Sequence, residues 1–450
     1  MAAGNSKRLQ SRTIKADVII SAGAGMEKLL KYKDENVCVF NMTPSGMILS
    51  VPKVITPELL PIGVMADTPD HLQGFMSDWW RSNMIPVERD SIRLGLECIG
   101  VRSEEELKLL SHGLSLVNHY WLCDPEEQMK WSDINFWDNG FSDEVGLALF
   151  NHRPLRQGIL CSPDTSLNGQ LKKKWISKDG KFYLVKSGSS YLGQEVFNEK
   201  LASDLYEAAG TLHVKYEIAR EKEPVSVCRC MTDRDHELIP VSQIFNSIER
   251  IPYQTETELH YFYRLLDHYE VKYSKKQIND MLCIDYIMAG TDRHYSNIGI
   301  LSNRERGTLE LAPIYDSGTS MWSGSRMTDM DIYDDTIMAR PFCNKNTFGT
   351  WKEQVNYITE YPDLMPEEIS KAALDYVKSM LKESDIPDKR AAILGSAVLK
   401  RAGRLQEHLA ERKIEVAQEY KITKEQISEL DAAVKREAVL AQKLQQSMEI

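Results

Sequence analysis

At 450 residues, with 42% apolar and 27% charged side chains, the chain is long enough to bury a sizeable core, and neither disorder nor low complexity accounts for its composition. Its 66 acidic residues outnumber its 55 basic ones, a net charge of −11, which argues against a protein whose main work is neutralising nucleic-acid phosphates. No stretch is apolar for long enough to span a membrane, and ADVIISAGAG near the N-terminus is too short for a secretory signal, so a cytoplasmic protein without membrane contact is expected.

Residues 1–155 are expected to form a mixed N-terminal region of unassigned role. VIISAGAGMEKLL reads as a strand, a Gly-x-Gly turn and a helix. It is no dinucleotide fingerprint, because Lys28 stands where the third glycine belongs and the next strand-like run, VCVFN, ends in Asn41 rather than an acid. Farther on, Trp121, Trp131 and Trp137 lie at the irregular spacing of core anchors rather than of a carbohydrate platform.

Residues 156–235 change to strands. KFYLVK, LHVKYEIA and VSVCRCM are β-rich, and between the first two Val196, Leu201, Leu205 and Ala208 recur at helical spacing. The chain has eight cysteines and no C-x-x-C; its one close pair, Cys228 and Cys230, shares a face of the third strand and reads as packing rather than metal binding. Residues 236–410 are mostly helical, with KKQINDMLCIDYIMAG the clearest helix. In 411–450 a capping box, Thr423 with Gln426, starts a last helix that is surface or partner-facing.

The chemistry concentrates in MAGTDRHYSNIGIL, residues 288–301. Asp292 and Asn297 stand five apart, the spacing of the base and the metal-binding amide in a kinase catalytic loop. IGIL and TLELAPIYD read as a hairpin, which brings Asn297, before its first strand, beside Asp316, after its second. A carboxylate and an amide oxygen delivered together suit Mg²⁺. Upstream, Lys186 ends a strand and Glu199 lies on the helix that follows, so an ion pair could hold the lysine against the phosphates of ATP. Glu195, one turn earlier, is the rival, and Glu199 is preferred. Taken singly, each of these residues has a plainer explanation: surface charges, a satisfied histidine at His294, an Asx turn at Asp316. Their order along the chain is what favours a kinase.

GTDRHYSNIGIL, LAPIYDSGTS, SPDTSLNGQLKKKW and FYLVKSGS with QEVFNEKLAS together resemble the HipA-like serine/threonine kinases, particularly clostridial-type relatives, over roughly residues 110–345. The resemblance implies a bacterial protein of α+β class, with a bilobal fold akin to protein and phosphoinositide kinases: a β-rich N-lobe, an all-helical C-lobe, and here an N-terminal extension and a C-terminal helix. Carried over by position, Asp292 is the catalytic aspartate, Asn297 and Asp316 bind Mg²⁺, and Lys186 with its partner Glu199 serves ATP. His294 lies beside the phosphates, and Met231 is assigned to the adenine hinge. One position departs: a phosphate-contacting lysine of the HipA toxin is replaced by Ser296. SPDTSLNGQLKKKW corresponds to a phosphate-covering loop whose serine is autophosphorylated in the toxins, which makes Ser162, Thr165 and Ser166 candidates. A polar turn with a solvated basic run at Lys172, Lys173 and Lys174 is the equal alternative.

Beyond Asp316, the acids Asp329, Asp331, Asp334 and Asp335 read as a solvated loop rather than a substrate dock. The expected activity is transfer of the γ-phosphoryl of ATP to a protein hydroxyl, with an unknown protein substrate and a toxin-like role in view. A small-molecule or lipid kinase on the same scaffold, and an inactive interaction or DNA-regulating protein, remain open alternatives. A separate antitoxin or DNA-binding partner fits the resemblance, whereas direct nucleic-acid binding does not fit the charge.

Overall fold

The computed structural model describes residues 25–64, 67–89, 91–155, 160–188, 192–251, 256–343 and 349–448. The strand expected just before Gly25 lies outside them. The helix expected at MEKLL is instead β1 (Met26–Tyr32), antiparallel to β2 (Glu35–Met42), which also pairs with β3 (Ile48–Val54). The reason is double burial. Leu30 packs with Phe40 and Trp80 on one side of β1 while Leu29 packs with Trp121 and Trp131 on the other, so the polar alternation of a half-exposed strand is missing.

α1 (Pro69–Ser82) lays Met76, Trp79 and Trp80 against this sheet; α2 (Ile92–Ile99) and α3 (Glu104–Leu110) follow. β4 (Tyr120–Cys123) then completes the order β3-β2-β1-β4. The single turns α4 (Trp131–Ile134) and α5 (Phe136–Asn139) and the helix α6 (Glu144–Asn151) lead out. Trp121 and Trp131 are core residues, clustered with Trp175 of the next sheet, and Trp137 packs at the cluster's edge.

The second sheet is antiparallel, in the order β5-β6-β8-β7, from β5 (Lys173–Lys178), β6 (Lys181–Ser187), β7 (Tyr216–Arg220) and β8 (Pro224–Arg229). The helix expected between KFYLVK and LHVKYEIA is α7 (Glu195–Ala208), with Val196, Leu201 and Leu205 buried. β5 corrects the solvated basic run. Lys173 and Lys174 begin a strand, and Lys174 is buried in a 2.7 Å ion pair with Glu221.

β9 (Glu237–Pro240) is followed by α8 (Val241–Ile244), α9 (Glu258–His268) and α10 (Lys275–Ile287). The hairpin read from IGIL and TLEL is β10 (Gly299–Asn303) with β11 (Thr308–Leu311), in a three-stranded sheet ordered β11-β10-β9, which corrects the expectation of an all-helical C-lobe. α11 (Trp351–Val355), α12 (Pro366–Glu383), α13 (Asp388–Glu411) and α14 (Lys424–Met448) complete the chain. α10 is buried on every side from Gln277 onward, so the segment leaving its C-terminus is fixed at the centre of the largest core. The capping box is present: Gln426 N–H donates to Thr423 Oγ1 (3.2 Å) and Thr423 N–H to Gln426 Oε1 (2.9 Å). Asp335 corrects the solvated acidic loop, since it is buried and accepts from Tyr286 Oη, Arg404 and His408, each at 2.8 Å. Among the described residues no helix is long and apolar enough to cross a membrane.

Candidate active site

On β6 the side chain of Lys186 points inward, 4% exposed, toward the face of α7 that carries Glu199, 3% exposed. Lys186 Nζ lies 2.9 Å from Glu199 Oε1, 2.7 Å from Asp316 Oδ1 and 3.3 Å from Tyr216 Oη. Glu195 is also buried but does not reach Lys186; it backs onto Gly318, where any Cβ would come within 3.2 Å of the Glu195 carbonyl and the Glu199 side chain. Gly318 therefore lets the 316–318 segment approach α7. Burial acts to deprotonate Lys186, and Asp316 and Glu199 more than offset it, so the ammonium is retained. Burial likewise pushes the Asp316 carboxyl up, and Lys186 and Lys173 outweigh it, holding Asp316 ionised well below the usual carboxylate range.

From the end of α10 the chain turns through Asp292 into a single helical turn, Tyr295–Asn297. Asn297 Nδ2 donates to the Asp292 carbonyl at 2.8 Å, leaving Oδ1 as the acceptor to offer. Asp292 Oδ1 lies 3.4 Å from His294 Nε2 and 3.2 Å from Arg340. Burial raises the Asp292 carboxyl and so does nearby Asp316, against His294 and Arg340, which lower it. Ser296 bonds Ser242 (3.0 Å) and brings no cation to the site.

Besides Arg340, two residues escaped the sequence reading. Arg293, buried, forms a bidentate pair with Asp285 (2.9 and 3.1 Å) and donates to the carbonyls of Asn297 (2.9 Å) and Tyr315 (2.6 Å) and to Ser317 Oγ (2.8 Å). It clasps the two segments that carry Asn297 and Asp316. The second is Lys173, directly across the β5–β6 pair from Lys186. A Cβ on Gly169 would fall 2.5 Å from its Nζ, which places the ammonium over the 167–169 segment. Burial pushes Lys173 down to about 7, with Asp316 pulling it up and Lys186 pushing it down. Its signal lay in register: of three consecutive lysines, only strand pairing tells which one shares the face of Lys186.

Ser162, Thr165 and Ser166 form a buried helical turn: Ser162 Oγ donates to Asp164 (2.8 Å), Thr165 Oγ1 to the Ser162 carbonyl (3.0 Å) and Ser166 Oγ to the Leu114 carbonyl (2.8 Å). None of the three hydroxyls faces solvent. Met231, just past the end of β8, is half-buried against the cluster of Val214, Tyr216 and Cys228.

Residues 165–383 match the family model of the HipA-like C-terminal domain. This chain carries a HipA-like C-terminal domain. Every residue of the cluster from Lys173 to Arg340 falls inside that match. No curated protein matches the sequence. Among solved structures the chain is similar to a Helicobacter pylori proinflammatory kinase, CtkA, at 16% identity and a TM-score of 0.39, over 60% of this chain and 95% of that one. It is also similar to HipA of the Shewanella oneidensis MR-1 toxin–antitoxin system, solved with HipB and operator DNA, at 10% identity and a TM-score of 0.42, over 91% of this chain and 96% of that one. Both likenesses are loose. In the HipA-like domain the donor set fits Mg²⁺: Asn297 Oδ1 is an unspent amide oxygen, and Asp316 is ionised with one oxygen, Oδ2, outside its bond to Lys186. Among the described residues no group of three or more His, Cys, Asp and Glu side chains could hold a metal. A two-ligand site of this kind leaves room for phosphate oxygens and water, as Mg²⁺ prefers.

Proposed function

We propose that this chain is an ATP- and Mg²⁺-dependent protein kinase that phosphorylates serine or threonine. The observation that carries this is the Lys186 ammonium lying between Glu199 and Asp316, a loop away from Asp292. Lys186, held by Glu199, would neutralise the inner phosphates, and Lys173 would supply the second cation. Asn297 Oδ1 and Asp316 Oδ2 would hold Mg²⁺, which would supply positive charge against the charge of the phosphates. Asp292 would orient the acceptor hydroxyl and take its proton. Burial and Asp316 raise its carboxyl, which strengthens it as a proton acceptor, while His294 and Arg340 pull against that rise. Met231 would border the adenine. Autophosphorylation at Ser162, Thr165 or Ser166 would require the buried 162–166 turn to leave its place, and phosphopeptide mapping of active enzyme would find such a site.

The test is incubation of wild type and Asp292→Ala with γ-labelled ATP and Mg²⁺, alone and with cell lysate. Protein label that falls by roughly 10²–10⁴-fold in the variant is the expected result, the range a positioned general base contributes. Label confined to small molecules would instead make the acceptor a metabolite or lipid, and no transfer with ATP still bound would make the site a binding site only.

Lys173 gives a second, independent check. With its ammonium near 7 in the free protein, the side chain is largely neutral at pH 8, and a phosphate placed beside it raises its proton affinity. Binding of Mg·ATP at pH 8 should therefore take up a fraction of a proton approaching one. Calorimetry in two buffers of different ionisation enthalpy would measure it, and Lys173→Met should abolish it. The charge Lys173 offers before binding is present below pH 7 and lost above it.

A further inference from the structure

The described residues of 26–155 make no hydrogen bond to Lys186, Glu199 or Asp316, yet they grip the segments that build the cluster. Arg89, just before α2 and only 5% exposed, donates from Nε to the Gly169 carbonyl (3.0 Å) and from Nη2 to the Leu167 carbonyl. Asn168 Nδ2 donates to the Ser82 carbonyl (2.8 Å), and Ser166 to the Leu114 carbonyl. Past the end of β8, Thr232 Oγ1 donates to the Leu116 carbonyl, and on β9 Leu238 N–H donates to the Val117 carbonyl (2.7 Å). From the β10–β11 turn, Arg304 donates to Tyr120 Oη (2.7 Å) and the Leu60 carbonyl (3.2 Å) and lies 4.8 Å over the Tyr32 ring. One body thus touches the 167–169 segment, the end of β8 and the hairpin between Asn297 and Asp316.

Burying a guanidinium is costly, and Arg89 has no carboxylate in contact among the described residues; Asp164 supplies the opposite charge from a distance. Its hydrogen bonds go instead to two carbonyls of a loop. Because each peptide is planar and trans, turning the carbonyls of Leu167 and Gly169 toward Arg89 turns the N–H groups of residues 168 and 170 the opposite way. Those donors then have a fixed direction, in the segment over which Lys173 sits.

We propose that residues 26–155 brace the nucleotide site, with Arg89 as a positioning residue that shapes the 167–169 segment to cover the triphosphate. Arg304 anchors the same body to the hairpin that sets the metal ligands. The proposal rests on the kinase reading above for its ligand, while the brace itself is a property of the free protein.

The experiment compares full-length wild type, Arg89→Ala and Arg89→Lys by hydrogen exchange without nucleotide and by calorimetric titration with Mg·ATP and with adenosine. Arg89→Ala should speed exchange in 160–175 while leaving α10 and α13 as protected as before. It should weaken Mg·ATP by about tenfold or more, consistent with losing hydrogen bonds from a charged donor, and leave adenosine unchanged. Added methylguanidinium should restore part of the loss, and Arg89→Lys should recover less than wild type, because one ammonium cannot match the guanidinium's planar reach to two carbonyls. Should Arg89→Ala fail to fold, Asn168→Ala, which cuts the exposed tie to Ser82 and the bond Asn168 Oδ1 accepts from Gly169 N–H, should move both readouts the same way by less. Unchanged exchange at 160–175, or equal losses of adenosine and Mg·ATP, would overturn the brace. A wild type that binds no Mg·ATP would sink the kinase reading, and the exchange comparison would still decide whether Arg89 holds the segment.

Discussion

Lys186→Met is expected to abolish phosphoryl transfer and to cost about 3–5 kcal/mol of stability, the penalty of removing one partner from a buried ion pair. Glu199 is 3% exposed, and without the ammonium its remaining bond is to the Ser317 N–H, from Oε2 at 3.2 Å. Asp316 loses the same cation and faces Glu199 with Lys173 and Arg293 as its remaining cations. The penalty is for an unpaired charge rather than lost packing, so Lys186→Met/Glu199→Met should recover most of the stability and none of the activity. pH separates the two effects further. Burial already raises the Glu199 carboxyl, and with Lys186 gone nothing comparable lowers it, so in the single variant it binds a proton more readily in the folded than in the unfolded chain. The deficit is then full at alkaline pH and narrows as pH falls through the raised folded pKa. Urea unfolding of the three proteins across pH would show this. A double variant as unstable as the single one would mean that Lys186 matters through packing and not charge.

The convergence of these groups was legible because each step of it is local. Alternation along KFYLVK turns Lys186 inward, helical spacing puts Glu199 on the facing side of α7, and a hairpin brings the segments of Asn297 and Asp316 to one guanidinium, that of Arg293. What stayed hidden depends on distant partners. Leu29 and Leu30 look helical because β1 is buried on both faces, which only β2, β4 and the aromatic clusters reveal. Lys173 is one of three lysines until β5 finds its register against β6. Arg89 meets its acceptors 78 and 80 residues downstream. Asp335 reads as one acid among four until α10 and α13 bring Tyr286, Arg404 and His408 around it. Such residues carry no periodic signature, since a single buried polar group is placed by tertiary packing alone.

Arg293 is the strongest instance, and its removal should be the most damaging change outside the reacting groups. Arg293→Leu leaves Asp285, 4% exposed, without the bidentate partner that neutralises it, at a cost of about 3–5 kcal/mol. It also unties the carbonyls of Asn297 and Tyr315, which the one guanidinium now holds 2.9 and 2.6 Å from Nη1. The stability loss belongs to the Asp285 charge, so Arg293→Leu/Asp285→Leu should regain much of it. The loss of geometry belongs to the clasp, and the double variant should keep it. Its signature is metal dependence: the Mg²⁺ concentration needed for half-maximal ATP binding should rise by about tenfold or more, the scale seen when the groups supporting metal ligands are removed, while ATP binding without metal changes little. Arg293→Lys should fall between, because an ammonium can pair with Asp285 but cannot also span both carbonyls. If the double variant regained the wild-type Mg²⁺ response along with its stability, the Arg293–Asp285 pair would be a core ion pair that happens to lie beside the site, and the placement of Asn297 and Asp316 would rest on the β10–β11 hairpin alone.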